Sequence, residues 1–149
     1  MNVLLVEDDP FKEEAIGIAL NEIVVVERIV CARAVQTAVE SVCAASYDLI
    51  ILDIALPSHD RTLGVGNPKS MPSGGVEVLL ELNRLGRNDA VLIVTQYPEV
   101  EIWGELVRLP EVISRLSEEV SVNLIGIIHF DQSNTNWRVN FDRFIGGVS

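Results

Sequence analysis

The hydrophobic positions of the chain follow two kinds of pattern. Short apolar or β-branched-rich blocks lie at residues 2–6, 23–30, 49–52, 90–94 and 124–130, and between them apolar residues recur every three or four positions. The blocks predict strands and the recurring stretches predict helices. Leu49-Ile50-Ile51-Leu52 is unbroken by any polar residue, the pattern of a strand covered on both faces inside a parallel sheet. Helices are expected after Pro10, over 33–45, from Gly74 or Gly75 to Leu85, over 98–120, and from 133–135 onward. In the first, Phe11, Ala15, Ile18 and Ala19 form the expected inner face, with Lys12, Glu13 and Glu14 largely opposite. Pro110 interrupts the fourth; a proline inside a helix costs about 3 kcal/mol, so two helical pieces or a kink are expected there. Trp103 and Trp137 fall at apolar helical positions and are expected in the core. The alternation of strand and helix predicts an α/β fold, a doubly wound five-stranded parallel sheet with right-handed crossovers, as a single domain over 1–149.

Two segments stand outside this alternation. Residues 58–73 have no period and are rich in Gly, Pro and Ser, which predicts a long loop leaving the sheet just after Asp53. The stretch 96–123 is extended relative to ordinary connections.

Charge narrows the partners. With a formal charge of −11 and only two lysines, the chain lacks the basic patch that a nonspecific grip on nucleic acid or an anionic membrane needs. No nucleic-acid or membrane partner is expected; proteins, metal cations and small ligands remain. Cys31 and Cys43 have no metal-ligand spacing and are expected as small buried hydrophobes. The N-terminus carries no basic leader and no apolar run is long enough to span a bilayer, so a cytoplasmic protein is expected.

The chemistry gathers at strand ends. Strand one runs into Glu7-Asp8-Asp9-Pro10, strand three into Asp53, and Thr95 follows strand four. Helix capping accounts for one acid at such a place, and less well for three. In an open parallel sheet these ends share one rim, where ligands bind. Carboxylates converging there repel one another unless a cation lies between them, and oxygen ligands on loops suit Mg²⁺. Asp53 would then attack a phosphoryl group, with the Thr95 hydroxyl donating to one of its oxygens.

The segments Val3-Leu-Leu-Val-Glu-Asp-Asp-Pro10, Tyr47-Asp-Leu-Ile-Ile-Leu-Asp53-Ile-Ala-Leu-Pro57, Gly75-Val-Glu-Val-Leu-Leu80 and Val91-Leu-Ile-Val-Thr95 together resemble a response-regulator receiver domain of two-component signalling, over nearly the whole chain. The resemblance implies a flavodoxin-like (β/α)5 fold and Asp53 as acceptor of phosphate from a histidine kinase or phosphotransfer protein. It also implies Asp8, Asp9, Asp53 and the backbone carbonyl of Ala55 as Mg²⁺ ligands, and Thr95 as switch hydroxyl. Receivers usually carry a lysine just after strand five; this chain has no lysine beyond Lys69, and His129 stands nearest that place. The position of the family's switch aromatic falls on Gly126 or Ile127. As a strand residue, His129 is expected to be partly buried and satisfied, and His59 to be a polar loop residue.

Two functions remain open on the sequence. One is a stand-alone response regulator, not an enzyme, signalling to a downstream effector protein by contact. The alternative is a phosphorylation-independent, receiver-like protein-binding module.

Overall fold

The computed structural model describes residues 1–57, 70–71 and 73–148. Its centre is a five-stranded, all-parallel sheet of β1 (Asn2–Val6), β2 (Arg28–Ala32), β3 (Leu49–Leu52), β6 (Ala90–Thr95) and β9 (Leu124–His129), in the order β2-β1-β3-β6-β9. Among the described residues five helices form, α1 (Pro10–Ile23), α2 (Val35–Ala44), α3 (Gly74–Arg84), α4 (Leu109–Ser117) and α5 (Trp137–Val148). This is the doubly wound sheet that the alternation predicts.

Strand alternation sorts the core into two layers. Leu4, Val6, Ile50, Leu52, Val91 and Ile93 point toward α2, α3 and α4, where Ala38, Val42, Leu79, Leu82, Val112 and Leu116 close over them. Val3, Leu5, Leu49, Ile51, Leu92 and Val94 point the other way, against Ile16 and Leu20 of α1 and Trp137, Phe141 and Ile145 of α5. With both faces covered, successive strand residues are all apolar, which is why β3 and β6 read as unbroken runs.

Among the described residues, four short strands lie outside the sheet. Leu56–Pro57 (β4) pairs antiparallel with Ser70–Met71 (β5), so the backbone leaves the Asp53 rim and re-enters α3 through a two-stranded ribbon; the rest of the loop expected over 58–73, His59 and Lys69 included, lies outside the described residues apart from Ser73. Glu99–Ile102 (β7) and Glu105–Arg108 (β8) form a hairpin. Here the expectation of helix from residue 98 fails. Val100 and Ile102 are buried and alternate with Glu99 and Glu101, a period of two, and Trp103 and Gly104 turn the chain with φ of 47° and 82°. Pro110 does not kink a helix but sits in the first turn of α4, where a missing N–H costs nothing. Trp103, expected in the core, is 40% exposed at the hairpin tip with the Arg115 guanidinium 5.5 Å from its ring, whereas Trp137 is buried as expected.

Helix α1 corrects the sequence reading most. Its buried residues are Lys12, Ile16, Ala19 and Leu20, spaced i, i+4, i+7 and i+8, while Phe11 and Ile18 are more than half exposed. The inner face is thus rotated by about one residue, some 100° of helix, and it carries a lysine inward. Cys31 and Cys43, expected to be buried, are exposed free thiols. No helix among the described residues is long and apolar enough to cross a membrane.

Candidate phosphoacceptor site

The chain winds from β1 outward to β2 and then returns to β3 on the other side of β1. The carboxyl ends of β1 and β3 therefore flank the point where winding reverses, the crevice where open α/β sheets bind ligands. Both ladders continue one residue past their strands: the Glu7 N–H donates to the Ala32 carbonyl at 3.0 Å and the Asp53 N–H to the Val6 carbonyl at 3.0 Å. The two acids are thus held by sheet geometry rather than by loops.

Three carboxylates, Glu7, Asp8 and Asp53, bring oxygens within 4.8 Å of one another. Glu7 and Asp53 are buried and Asp8 is half-buried. Asp9, expected beside Asp8 as a ligand, stands outside that group; its Oδ1 accepts the Phe11 N–H at 2.9 Å, and Asp9 is the N-cap of α1 with Pro10 next in the helix. The bland capping reading therefore holds for Asp9, and the acids that converge on Asp53 lie one residue earlier.

A cation already meets them. The Lys12 ammonium lies 2.6 Å from Glu7 Oε2 and 3.1 Å from Asp53 Oδ2, and donates to the Val94 carbonyl at 2.8 Å. Its side chain is fully buried, and its three donors have three oxygen acceptors, the condition under which a buried ammonium is tolerated. Glu7 is equally engaged: Oε1 accepts the N–H groups of Asp8 and Asp9 at 3.1 and 3.0 Å, which folds the β1–α1 connection around it. The other Asp53 oxygen, Oδ1, accepts the Ala55 N–H at 3.2 Å, fixing the carboxylate plane.

Burial raises the Asp53 carboxyl above its ordinary value, against the pull of Lys12 and the Ala55 N–H. Burial and then the Asp53 charge push Glu7 up to about 8, again opposed by Lys12. Glu7 and Asp53 thus share one ammonium with Asp8 close by, and this crowding of carboxylates is what a divalent cation would relieve.

Thr95 is wholly buried at the end of β6, next to β3 in the sheet, and its Oγ1 accepts the Tyr97 N–H at 3.2 Å. His129 pairs with Thr95 across the β6–β9 ladder, but it is exposed rather than partly buried, and its Nε2 lies 3.1 Å from the Gln96 carbonyl. The place of the switch aromatic at Gly126 is filled from α5: a β-carbon there would lie 2.5 Å from the Phe144 ring. The sequence reading missed Lys12 and undervalued Glu7. The available signal was spacing, because Lys12 lies in line with Ile16, Ala19 and Leu20.

No protein-family model matches the chain. The Detocs response regulatory protein DtcB of Vibrio alginolyticus is 34% identical to it over 146 residues, covering 96% of this chain and 98% of the relative. Among solved structures, the response regulatory domain of protein mrkE from Klebsiella pneumoniae superposes with a TM-score of 0.64 at 14% identity, covering 99% of this chain and 94% of that one. The receiver domain of sensor histidine kinase PA1611 from Pseudomonas aeruginosa PAO1, with a magnesium ion coordinated in its active-site cleft, superposes with a TM-score of 0.59 at 18% identity, covering 98% of this chain and 94% of that one.

Proposed function

Because this chain belongs to the response-regulator family, we propose that it is a phosphoacceptor which takes a phosphoryl group on Asp53 and passes the signal on by protein contact, without turning over a substrate of its own. The observation that carries this reading is the convergence of Glu7, Asp8 and Asp53 at the switch point, with Asp53 held by the Ala55 N–H on one oxygen and facing Lys12 on the other. This placement supports a nucleophilic role for the Asp53 carboxylate.

The donor set fits Mg²⁺: hard carboxylate oxygens, no nitrogen or sulfur, and a half-buried Asp8 on the open side. Asp8, Asp53 and the Ala55 carbonyl would hold it. Bound there, the ion would offset the charge of the incoming phosphoryl oxygens. Asp53 then forms the O–P bond as the donor's P–N bond breaks and the departing imidazole keeps the electron pair. Thr95, whose oxygen accepts from Tyr97, keeps its own hydroxyl proton to donate to a phosphoryl oxygen. The donor is a histidine kinase or phosphotransfer protein and the recipient of the signal a downstream effector protein.

Intact mass after incubation with Mg²⁺ and a small phosphodonor tests the reading. Wild type gains about 80 Da, the mass of one phosphoryl group, and Asp53→Asn gains nothing. A wild type that never gains mass, yet binds its partner as well as Asp53→Asn does, is instead a phosphorylation-independent binding module.

A further inference from the structure

A lysine whose ammonium is entirely out of water is expensive unless each donor finds an oxygen, and Lys12 finds three. An ion pair needed only for stability would match one acid to one cation. Here the ammonium faces two carboxyl groups, Glu7 at 2.6 Å and Asp53 at the longer distance of 3.1 Å. Two anchors, Glu7 Oε2 and the Val94 carbonyl, hold the ammonium whatever happens at Asp53, leaving the third donor directed at the acceptor carboxylate. The stem is fixed as well, since it rises from the first turn of α1, whose start is held by the Asp9 cap. Among the described residues no other cation is in ion-pair contact with Asp53. The arginine pairs lie with Glu13, Glu22, Glu81, Asp89, Glu105, Glu118 and Asp142, and the end of β9 offers the exposed His129, turned to the Gln96 carbonyl.

We propose that Lys12 is the catalytic cation of the phosphoacceptor site: its third donor moves from the Asp53 carboxylate to an oxygen of the phosphoryl group as the O–P bond forms. The acceptor's fixed counter-charge is thereby carried on α1 and not at the end of β9. Lys12 stays protonated throughout; the electron pair of the broken donor bond leaves with the donor. The inference rests on Asp53 being the acceptor. A buried donor aimed at developing charge contributes more than one in water, because it is already oriented and poorly screened.

The test uses phosphoramidate and Mg²⁺ with intact mass as the readout. Lys12→Met slows acyl-phosphate formation by about a hundredfold, the loss typical of removing one such donor. Adding His129→Lys to that variant restores a large part of the rate, which replacing a merely structural lysine would not do. Because Lys12→Met leaves Glu7 buried without its partner, Glu7→Gln/Lys12→Met is measured alongside; it removes both charges and keeps the volume, and is slowed to the same extent. Beryllofluoride gives a readout without turnover, raising the melting temperature of wild type and not of the double variant. Equal rates in wild type and in the folded double variant overturn the assignment to Lys12 while leaving Asp53 as acceptor. A wild type that is never modified overturns both.

Discussion

Gly75 has no room for a side chain: a β-carbon on it would lie 2.4 Å from the carbonyl oxygen of Asp53 and 2.7 Å from the Ile54 Cα. Its N–H donates to the Ile54 carbonyl at 2.7 Å, so the first turn of α3 rests directly on the backbone that presents the acceptor. Backbone atoms of a sheet end cannot step aside as a flexible side chain can. Gly75→Ala should therefore destabilise the fold by about 1 to 3 kcal/mol, the usual cost of overpacking, and displace Asp53. Denaturant melts give the first effect, and intact mass under phosphodonor gives the second as a reduced rate in the variant that remains folded. A variant with wild-type stability and rate contradicts the close approach.

The division of labour between Asp8 and Asp9 predicts opposite responses to metal. Millimolar Mg²⁺ should raise the melting temperature of wild type, since a ligand bound only by the folded state stabilises it. Asp8→Asn should lose most of that rise. Asp9→Asn should retain it, and Asp9→Ala should cost about 1 kcal/mol through the lost cap of α1 while still responding to Mg²⁺. Loss of the response in Asp9→Asn alone would return Asp9 to the ligand set.

Glu7 sets a pH dependence. Its carboxyl is raised from 4.5 to about 8, first by burial and then by Asp53. A group with a higher pKa folded than unfolded takes up a proton on folding, so its contribution to stability is whole below the unfolded value and is lost as pH rises through the folded one. Without divalent cations, the melting temperature should fall from about pH 5 to about pH 8, and Glu7→Gln should flatten that fall. An equally steep fall in the variant would assign the dependence to other groups.

Arg87 ties the opposite end of the sheet. It donates to the Val42 and Ala45 carbonyls at the end of α2 and pairs with Asp89, whose Oδ2 accepts the Tyr47 N–H at 2.8 Å. Burial pushes the Asp89 carboxyl up, but the hydrogen bonds from Arg87 and Tyr47 outweigh it and hold the group below its ordinary value. Arg87→Ala should cost about 2 to 3 kcal/mol, because it leaves Asp89 and two carbonyls short of partners. The phosphorylation rate per folded molecule should be unchanged, since Asp89 and Asp53 lie at opposite ends of the sheet's strands. Denaturant midpoints check the first statement and mass time courses the second.

Much of this molecule follows from its sequence. Unbroken apolar runs rich in β-branched residues, such as Leu49–Leu52, read as strands covered on both faces, and the β-α-β order leaves a parallel sheet as the simple solution, which brings Asp53, Thr95 and the acids after β1 to one rim. Local chemistry also determined that an acid would cap α1 just before Pro10, though not whether Asp8 or Asp9 would do so. Tertiary structure decided the rest. Phe11 and Ile18 are as apolar as Ile16 and Leu20, so α1 has two possible inner faces separated by about 100°. The face that packs is the one that places Lys12 between Glu7 and Asp53, where three oxygen acceptors make a buried ammonium tolerable, and it leaves Phe11 and Ile18 exposed. The hairpin at 99–108 was decided in the same way: its apolar residues fit either period, and packing of Val100, Ile102 and Val107 beside α4 selects two. Periodicity reports what a segment can bury, and only the neighbouring segments determine which side is buried and which cation comes with it.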